Sequence, residues 1–169
     1  MASESSSTTT IPTKFRFASF DPIFREFVSG KLEYIVMTVD DDELLVKAQS
    51  ASGKTAYEYN AEGTKIDPFL SWMRFTNDIT EFKIAFGCCY VTHKSRDGVE
   101  ETDPVFIYWC TRSALWEERL KYSKIMGMMR SRLSPVLYKL NCESQYQISY
   151  NEISRKMLEY EVLTLAIDI

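Results

Sequence analysis

The spacing of hydrophobic residues along the chain alternates between helical and strand-like periods. Apolar residues at helical spacing follow Asp21 and Asp67, each of which is followed by proline. Each pair predicts a helix start, because Asp caps a helix and Pro suits its first turn. A longer helix is predicted over residues 113–133, and the capping box that opens at Ser149 predicts a last helix. Runs rich in β-branched and aromatic residues predict five strands, at residues 32–39, 43–49, 81–91, 104–110 and 136–140.

This order of elements predicts an α/β (α+β) fold: a single domain with a central mixed sheet of about five strands and helices on both faces. The third and fourth strands must pair antiparallel across their connection. The strand after the long helix can join parallel to its predecessor, because a helical crossover permits that pairing. The connection at residues 92–103 is longer than a tight hairpin needs. We therefore expect a projecting finger that carries His93, Lys94 and Arg96.

Both ends of the chain differ in composition from the region between them. Residues 1–13 are rich in serine and threonine and cannot bury much apolar surface, so we expect a disordered tail. The domain is expected over residues 14–160. Residues 161–169 form an apolar tail that could add an edge strand or fold back on a helix.

The long helix has apolar residues on two sides, and only one side can face the core. One set spans an arc of about 100°, the width of a buried stripe; it comprises Leu115, Tyr122, Ile125, Met126, Met129 and Leu133. Trp116, Leu120 and Met128 point away from this stripe. They lie within a basic frame formed by Arg119, Lys121, Lys124, Arg130 and Arg132. Such a face suits docking of an acidic protein; the alternative is that another element of the same domain covers it.

The distribution of charge supports the docking interpretation and excludes a generic nucleic-acid binder. The 169 residues carry a formal net charge of −4, whereas nucleic-acid-binding domains are basic. Between residues 111 and 140, however, seven lysines and arginines stand against two acids, Glu117 and Glu118. A local positive field of this kind steers partners of opposite charge. The alternative is an ordinary solvated helix face.

The patterns of cysteine, histidine and glycine do not indicate metal binding or catalysis. The four cysteines form no C-x-x-C pair and His93 is the single histidine, so no zinc site is indicated by spacing and no cofactor is expected. No Ser-His-Asp or Cys-His arrangement and no Gly-rich phosphate loop is evident, which argues against an enzyme. The sequence shows no secretory signal and no apolar stretch of membrane-spanning length, so we expect an intracellular protein with reduced thiols.

Several segments, taken in order, carry a resemblance to a known family. They are Asp67-Pro68-Phe69, Phe82-Lys83-Ile84-Ala85-Phe86, Pro104-Val105-Phe106-Ile107-Tyr108-Trp109, Ser113-Ala114, Leu120-Lys121-Tyr122-Ser123 and the helix that opens at Ser149. Together they resemble the actin-depolymerising-factor homology domain of the actin-depolymerising factor and cofilin family, over about residues 20–158. The family's mixed sheet, with helices on both faces, agrees with the fold predicted above.

The resemblance implies a non-enzymatic domain that binds actin monomers and filaments in the cytoplasmic actin cytoskeleton and promotes filament disassembly by depolymerisation or severing. In this family the exposed face of the long helix and an N-terminal arm contact actin. These correspond here to Trp116, Arg119, Leu120, Lys124, Arg130 and Arg132, with Thr13 and Lys14 as the arm. A second, filament-binding region corresponds to Lys94 and Arg96 in the finger and to Arg155 and Lys156 in the last helix.

One departure from the family pattern leaves the outcome of actin binding open. The family has two basic residues, two positions apart, at the start of the long helix, and this chain has Glu117 and Arg119. The reversed charge favours an alternative: weak severing with monomer sequestration, as in twinfilin-like domains, or binding of actin-related proteins at branch junctions, as in glia maturation factor. The resemblance also implies phosphoinositide binding by the basic helix. We expect a monomer with no nucleic-acid partner.

Overall fold

A computed structural model describes residues 15–49 and 68–167, without the side chains of residue 68 and residues 164–167. The predicted tail at residues 1–13, the arm residues Thr13 and Lys14 and the expected cap Asp67 lie outside the described residues. Within them, four helices and five strands follow one another in the predicted order. They are α1 (Phe20–Val28), β1 (Tyr34–Asp40), β2 (Glu43–Gln49), α2 (Pro68–Ile79), β3 (Ile84–Lys94), β4 (Glu100–Cys110), α3 (Trp116–Met129), β5 (Tyr138–Cys142) and α4 (Tyr150–Ile167).

The five strands form one mixed sheet in the order β2-β1-β3-β4-β5. Strand β1 pairs antiparallel with both β2 and β3, and β3 pairs antiparallel with β4. Strand β5 pairs parallel with β4, as predicted for a strand that follows a helical crossover. The prediction of an α/β (α+β) fold with one mixed sheet is therefore confirmed.

Each face of the sheet is covered by two helices, because successive strand residues point to opposite faces. In β1, Ile35 belongs to the buried cluster shared with α1 and α3, and its neighbour Val36 belongs to the cluster shared with α2 and α4. Phe86 and Ala85 divide between the two clusters in the same way in β3. The described domain therefore buries both faces of its sheet, and α3 packs on the face that it shares with α1.

The connection between β3 and β4 is shorter than the predicted finger at residues 92–103. The two strands continue their ladder as far as the pair Lys94–Glu100, so only residues 95–99 form the turn. Gly98 adopts a φ of 79° in this turn, a left-handed conformation that glycine tolerates best. His93 is 4% exposed, whereas Lys94 is exposed. The longer ladder is favoured because it satisfies backbone groups that a longer loop would leave unpaired.

Three helices differ from their predicted limits. Helix α1 has Ser19 in its N-cap position, so Asp21 lies in the first turn rather than at the cap. Helix α3 is shorter than predicted at both ends, and Leu115, predicted to be buried, is its N-cap residue and is 62% exposed. Helix α4 extends past residue 160 to Ile167, and residues 168 and 169 of the predicted apolar tail lie outside the described residues. None of the helices in the described part combines the length and the apolar character that crossing a membrane would require.

One glycine sets how closely α2 approaches the sheet. A Cβ atom on Gly87 in β3 would lie 2.5 Å from Cε2 of Phe75 and 2.9 Å from Cδ1 of Ile79. Both of these side chains belong to α2 and are fully buried. The absence of a side chain at Gly87 therefore provides the space into which α2 packs.

The chain before α1 runs along the edge of β2. Arg16 donates its amide to Asp42 O at 2.7 Å and accepts at its own carbonyl from Leu44 N at 3.1 Å. Further along the strand, the Val46 amide donates to Ser19 Oγ at 3.4 Å. The segment that leads into α1 therefore occupies two amides of an edge strand.

Candidate functional site

Helix α3 is fixed on the sheet by a buried stripe that the sequence predicts in part. Tyr122, Ile125 and Met129 are buried in the cluster shared with α1. The Tyr122 hydroxyl accepts a hydrogen bond of 2.8 Å from the Val39 amide in β1. Burial raises the pKa of Tyr122 to about 12, so the hydroxyl stays protonated at neutral pH. This contact fixes the position of α3 relative to β1.

The outward side of α3 carries apolar and basic side chains in one row. Trp116, Leu120, Lys124 and Met128 follow at intervals of four residues, which places them on successive turns of one helix face. Trp116 is 71% exposed, Met128 is 39% exposed and Lys124 is exposed, whereas Leu120 is half-buried. No described element of the chain therefore covers Trp116. We refer to these four residues as the α3 row.

Arg119, which the resemblance assigns to the actin-binding face, turns back onto the loop before α3. Its guanidinium donates to Ala114 O at 3.2 Å and to Thr111 O at 2.9 Å. Thr111 is in turn bound to the residue that precedes β3, since its amide and hydroxyl both donate to Lys83 O. Arg119 therefore holds the connection between β4 and α3 in place, and its side chain is half-buried.

Arg132, from the same predicted set, is also engaged within the domain. Its guanidinium pairs with Asp21 of α1 at 2.9 Å and lies 3.7 Å from the centroid of the Phe17 ring. A cation over an aromatic face is attracted by the ring quadrupole. Arg132 thus connects the residues after α3 to α1 and to the segment that enters α1. The predicted arm, Thr13 and Lys14, directly precedes the described part of that segment.

Arg130 borders a groove between the end of α3 and the sheet edge at β5. The groove has a volume of about 580 Å³, and Lys139 in β5 brings a second basic residue to it. Lys139 donates to Val136 O at 2.7 Å, whereas the Arg130 side chain is exposed. Met126 is among the apolar residues that line the groove.

The charge on the outward side of α3 is mixed at the start of the helix and basic at its end. Glu117 is exposed and Glu118 is half-buried in the first turn, where the helix dipole favours acidic side chains. Among the described residues, Lys124 and Arg130 form no ion pair. Lys121 is half-buried and also forms no ion pair among these residues, so the unpaired positive charge extends from the middle of α3 to the residue just after it.

Two of the four predicted filament-binding residues line the same cleft. Lys94 and Arg155 both line a cleft of about 610 Å³ between the β3–β4 hairpin and the first turns of α2 and α4. Arg155 donates to Glu152 on the same helix at 3.1 Å, so its charge is held close to α4. Arg96 lies in the hairpin turn and is exposed, and Lys156 is half-buried on α4. The structure therefore brings Lys94 and Arg155 together and leaves the other two outside the cleft.

Comparison with known proteins assigns this fold to a family. A family model described as cofilin/tropomyosin-type actin-binding protein matches residues 19–158. Because this match covers most of the chain, the protein belongs to that family. Comparison with individual curated protein sequences gives no significant match.

Several solved structures share the fold at low sequence identity. Coactosin from Entamoeba histolytica gives a TM-score of 0.63 at 16% identity, over 88% of this chain and 98% of that chain. Cofilin from Streptomyces griseoflavus gives 0.62 at 15% identity, over 87% and 95% of the two chains. Actin depolymerization factor 2 from Plasmodium berghei gives 0.62 at 13% identity, over 88% and 94%. Likeness at this identity establishes the fold and does not by itself establish the activity.

Proposed function

We propose that this protein binds actin monomers and filaments through the α3 row and Arg130, and that it promotes filament disassembly as a non-enzymatic component of the cytoplasmic actin cytoskeleton. The observation that carries the proposal is the exposure of Trp116 on the same row as Lys124, on a helix whose other side is engaged with the sheet. Aromatic residues are enriched at the centres of protein interfaces, where they act as anchors. Family membership supplies the class of partner.

The residues of this face have different roles in the proposal. Trp116 and Leu120 supply apolar area that actin covers, and loss of such an anchor costs about 2 kcal/mol or more of binding free energy. Lys124 and Arg130 orient an acidic partner and raise the association rate more than the affinity. Arg119 acts as a positioning residue, because its guanidinium is bound within the domain.

The charge at the start of α3 favours a second outcome of actin binding. Glu117 is exposed and Arg119 is turned toward the preceding loop, so this end of the face lacks the paired cations of the family pattern. A face of this kind suits weak severing combined with monomer sequestration, or binding of actin-related proteins at branch junctions. The two outcomes are distinguished by whether filaments are bound as well as monomers.

The actin-binding face is tested by measuring monomer affinity and filament co-sedimentation on the same variants. Leu120→Ala should weaken binding by about 30-fold, the equivalent of about 2 kcal/mol. Lys124→Ala should have a smaller effect that diminishes at high salt. Leu70→Ala is the matched control for monomer affinity, because Leu70 is 48% exposed on α2, which packs on the opposite face of the sheet.

Each pattern of results has a defined meaning. If Leu120→Ala and Leu70→Ala both bind as the unmodified protein does, the α3 row is not the actin-binding surface. Binding to monomers without co-sedimentation would favour sequestration over filament disassembly. Binding to neither form of actin would leave actin-related proteins as the partner to be measured on the same variants.

We further propose that Lys94 and Arg96, with Arg155 and Lys156, add contacts to filaments. Alanine substitution of Lys94 and Arg96 together should lower filament co-sedimentation and leave monomer affinity unchanged, because both residues lie on the hairpin rather than on α3. An equal loss of monomer affinity would contradict a filament-specific role. Arg155→Ala is less informative, since it also removes the cation that is paired with the buried Glu152.

We also propose that the N-terminal arm contacts actin. Thr13→Glu should weaken actin binding, because it adds negative charge beside an acidic partner; an unchanged affinity would argue against the arm.

Arg130 and Lys139 would meet phosphoinositide headgroups at the groove beside β5. Co-sedimentation with phosphoinositide-containing vesicles should decrease in Arg130→Ala, and equal co-sedimentation would exclude this contact.

A further inference from the structure

Three potential metal ligands converge on the β3–β4 hairpin, away from α3. The ligand atoms of His93, Glu101 and Asp103 all lie within 4.8 Å of one another. His93 and Glu101 face each other directly across the ladder, and Asp103 lies two residues beyond Glu101 on the same strand. Because side chains alternate along a strand, all three project from the same face of the hairpin.

The histidine of this cluster is held in place by its surroundings. The His93 side chain is 0% exposed, and its Nε2 lies 2.8 Å from Oδ2 of Asp103. Its ring packs edge-to-face on Tyr138 at a centroid distance of 5.6 Å. Nδ1 is buried and has no hydrogen-bond partner among the described residues. An ion bound at Nε2 would require the proton to sit on Nδ1, where none of the described residues supplies an acceptor.

Negative charge at this end of the domain lacks a matching cation. In residues 15–49 and 68–167, no lysine or arginine forms an ion pair with Glu101, Asp103 or Glu161. Glu161 of α4 accepts a hydrogen bond from the Arg96 amide, and its Oε2 atom is buried without a partner. Like charges held close together oppose their own ionisation unless a cation compensates them. The hairpin therefore combines a fixed imidazole with uncompensated carboxylates.

We propose that His93, Glu101 and Asp103 form a site for a divalent transition-metal ion of the zinc class. Imidazole nitrogen and carboxylate oxygen are ordinary zinc ligands, and three protein ligands leave a fourth position for water or a partner group. A nitrogen donor favours this class over magnesium and calcium, which prefer oxygen ligands throughout. Glu101 is exposed and Asp103 is half-buried, so an ion can reach the site from solvent.

A bound ion would change the properties of the hairpin. It would join the two strands near their turn and would offset the acidic residues that outnumber Lys94 and Arg96 between residues 92 and 103. The site itself is defined by its ligands and does not depend on the proposed actin binding. Its test therefore needs no actin.

The test uses the full chain after removal of metal by a chelator, titrated with Zn²⁺ by calorimetry and with Co²⁺ by visible absorption. We expect one ion per chain, and at least about tenfold weaker affinity in Glu101→Gln and in Asp103→Asn. Glu100→Gln is the matched control, because Glu100 is adjacent, is exposed and loses the same charge. Its affinity should stay within about twofold of the unmodified protein.

The remaining outcomes overturn the proposal. Equal affinities of Glu100→Gln and Glu101→Gln, or the absence of one-to-one binding, would show that the cluster is not a metal site. A thiolate-to-cobalt charge-transfer band would show that the ion binds at a cysteine instead. His93→Ala removes a buried side chain and is informative only where circular dichroism shows an intact fold; the two carboxylate variants do not carry this risk.

Discussion

The same substitution at two glycines should change stability in opposite directions. Gly87 and Gly127 both become alanine, which adds one methyl group at each position. At Gly87 the new Cβ atom would lie 2.5 Å from Cε2 and 2.7 Å from Cζ of Phe75, both on a fully buried ring. At Gly127, apart from the adjacent residues and the nearby backbone of α3 itself, no atom of the described residues lies within 4 Å of the added Cβ. One methyl group therefore meets a packed helix and the other meets open space.

The expected change in the free energy of unfolding differs between these two environments. Carbon atoms in contact are normally about 3.5–4.0 Å apart, so Gly87→Ala forces α2 away from the sheet. Overpacking of this kind costs about 1–3 kcal/mol of unfolding free energy. Gly127 lies inside α3, where replacing glycine by alanine stabilises a helix by about 1 kcal/mol. The two variants should therefore differ by about 2–4 kcal/mol.

Urea unfolding followed by circular dichroism measures this difference. With a denaturant dependence of about 2 kcal/mol per M, the two midpoints should lie about 1–2 M apart, on either side of the unmodified protein. A Gly87→Ala protein as stable as the unmodified one would refute the close packing of α2 on β3. A destabilised Gly127→Ala protein would show that this part of α3 is not regular helix with free space around it.

Three further substitutions test contacts around the site and the fold. Arg119→Ala should lower the unfolding free energy by about 1–2 kcal/mol in urea melts, because two carbonyls lose a charged donor; an unchanged midpoint would contradict its positioning role. Tyr34→Phe should cost about 1.5 kcal/mol or more, since the hydroxyl donates to Asp78 at 2.6 Å. The hydrogen bond from Arg155 lowers the pKa of Glu152, so their pair stabilises the fold above the unfolded pKa and loses this effect as pH falls through the folded value. Glu152→Gln should therefore reduce the dependence of the melting temperature on pH below about pH 4.5, and an unchanged slope would refute the linkage.

Features that depend on neighbouring residues are predicted well from the sequence. The Glu152 amide donates to Ser149 Oγ at 3.4 Å, as the capping box predicts. Gly30 follows α1 with a φ of 83°, the conformation in which glycine commonly ends a helix. The alternation of apolar residues places the strands, and the crossover rule gives β5 its parallel orientation. These features arise from short-range chemistry, which a linear pattern contains.

Contacts between distant residues are not predicted, and they change the description of the site. Arg132 and Asp21 are separated by 111 positions, and no spacing in the sequence connects them. Arg119 follows the pattern of a solvent-facing cation, yet the loop carbonyls before α3 bind it. A count of charges over residues 111–140 therefore overstates the number of cationic side chains that are available to a partner.

The His93 cluster is missed for a related reason. Metal-binding spacing in sequences is usually sought as paired cysteines and histidines, whereas here a ladder register brings His93 opposite Glu101. This register lies within residues 92–103, where the sequence predicts a loop rather than paired strands. The prediction that Leu115 is buried is wrong. Its angle on the helix matches the buried stripe, but it lies at the N-terminal end of α3 and is exposed.

The segment that leads into α1 also affects how the chain resists self-association. An edge strand with free amides is a template for a strand from another molecule. Arg16 and Ser19 already occupy the amides of Leu44 and Val46 on β2. The same segment carries Phe15 and Phe17, which belong to the buried core, so its position along β2 is fixed by packing as well as by these hydrogen bonds. Neither amide is therefore open to pairing with a strand of another molecule, which limits sheet extension at this edge.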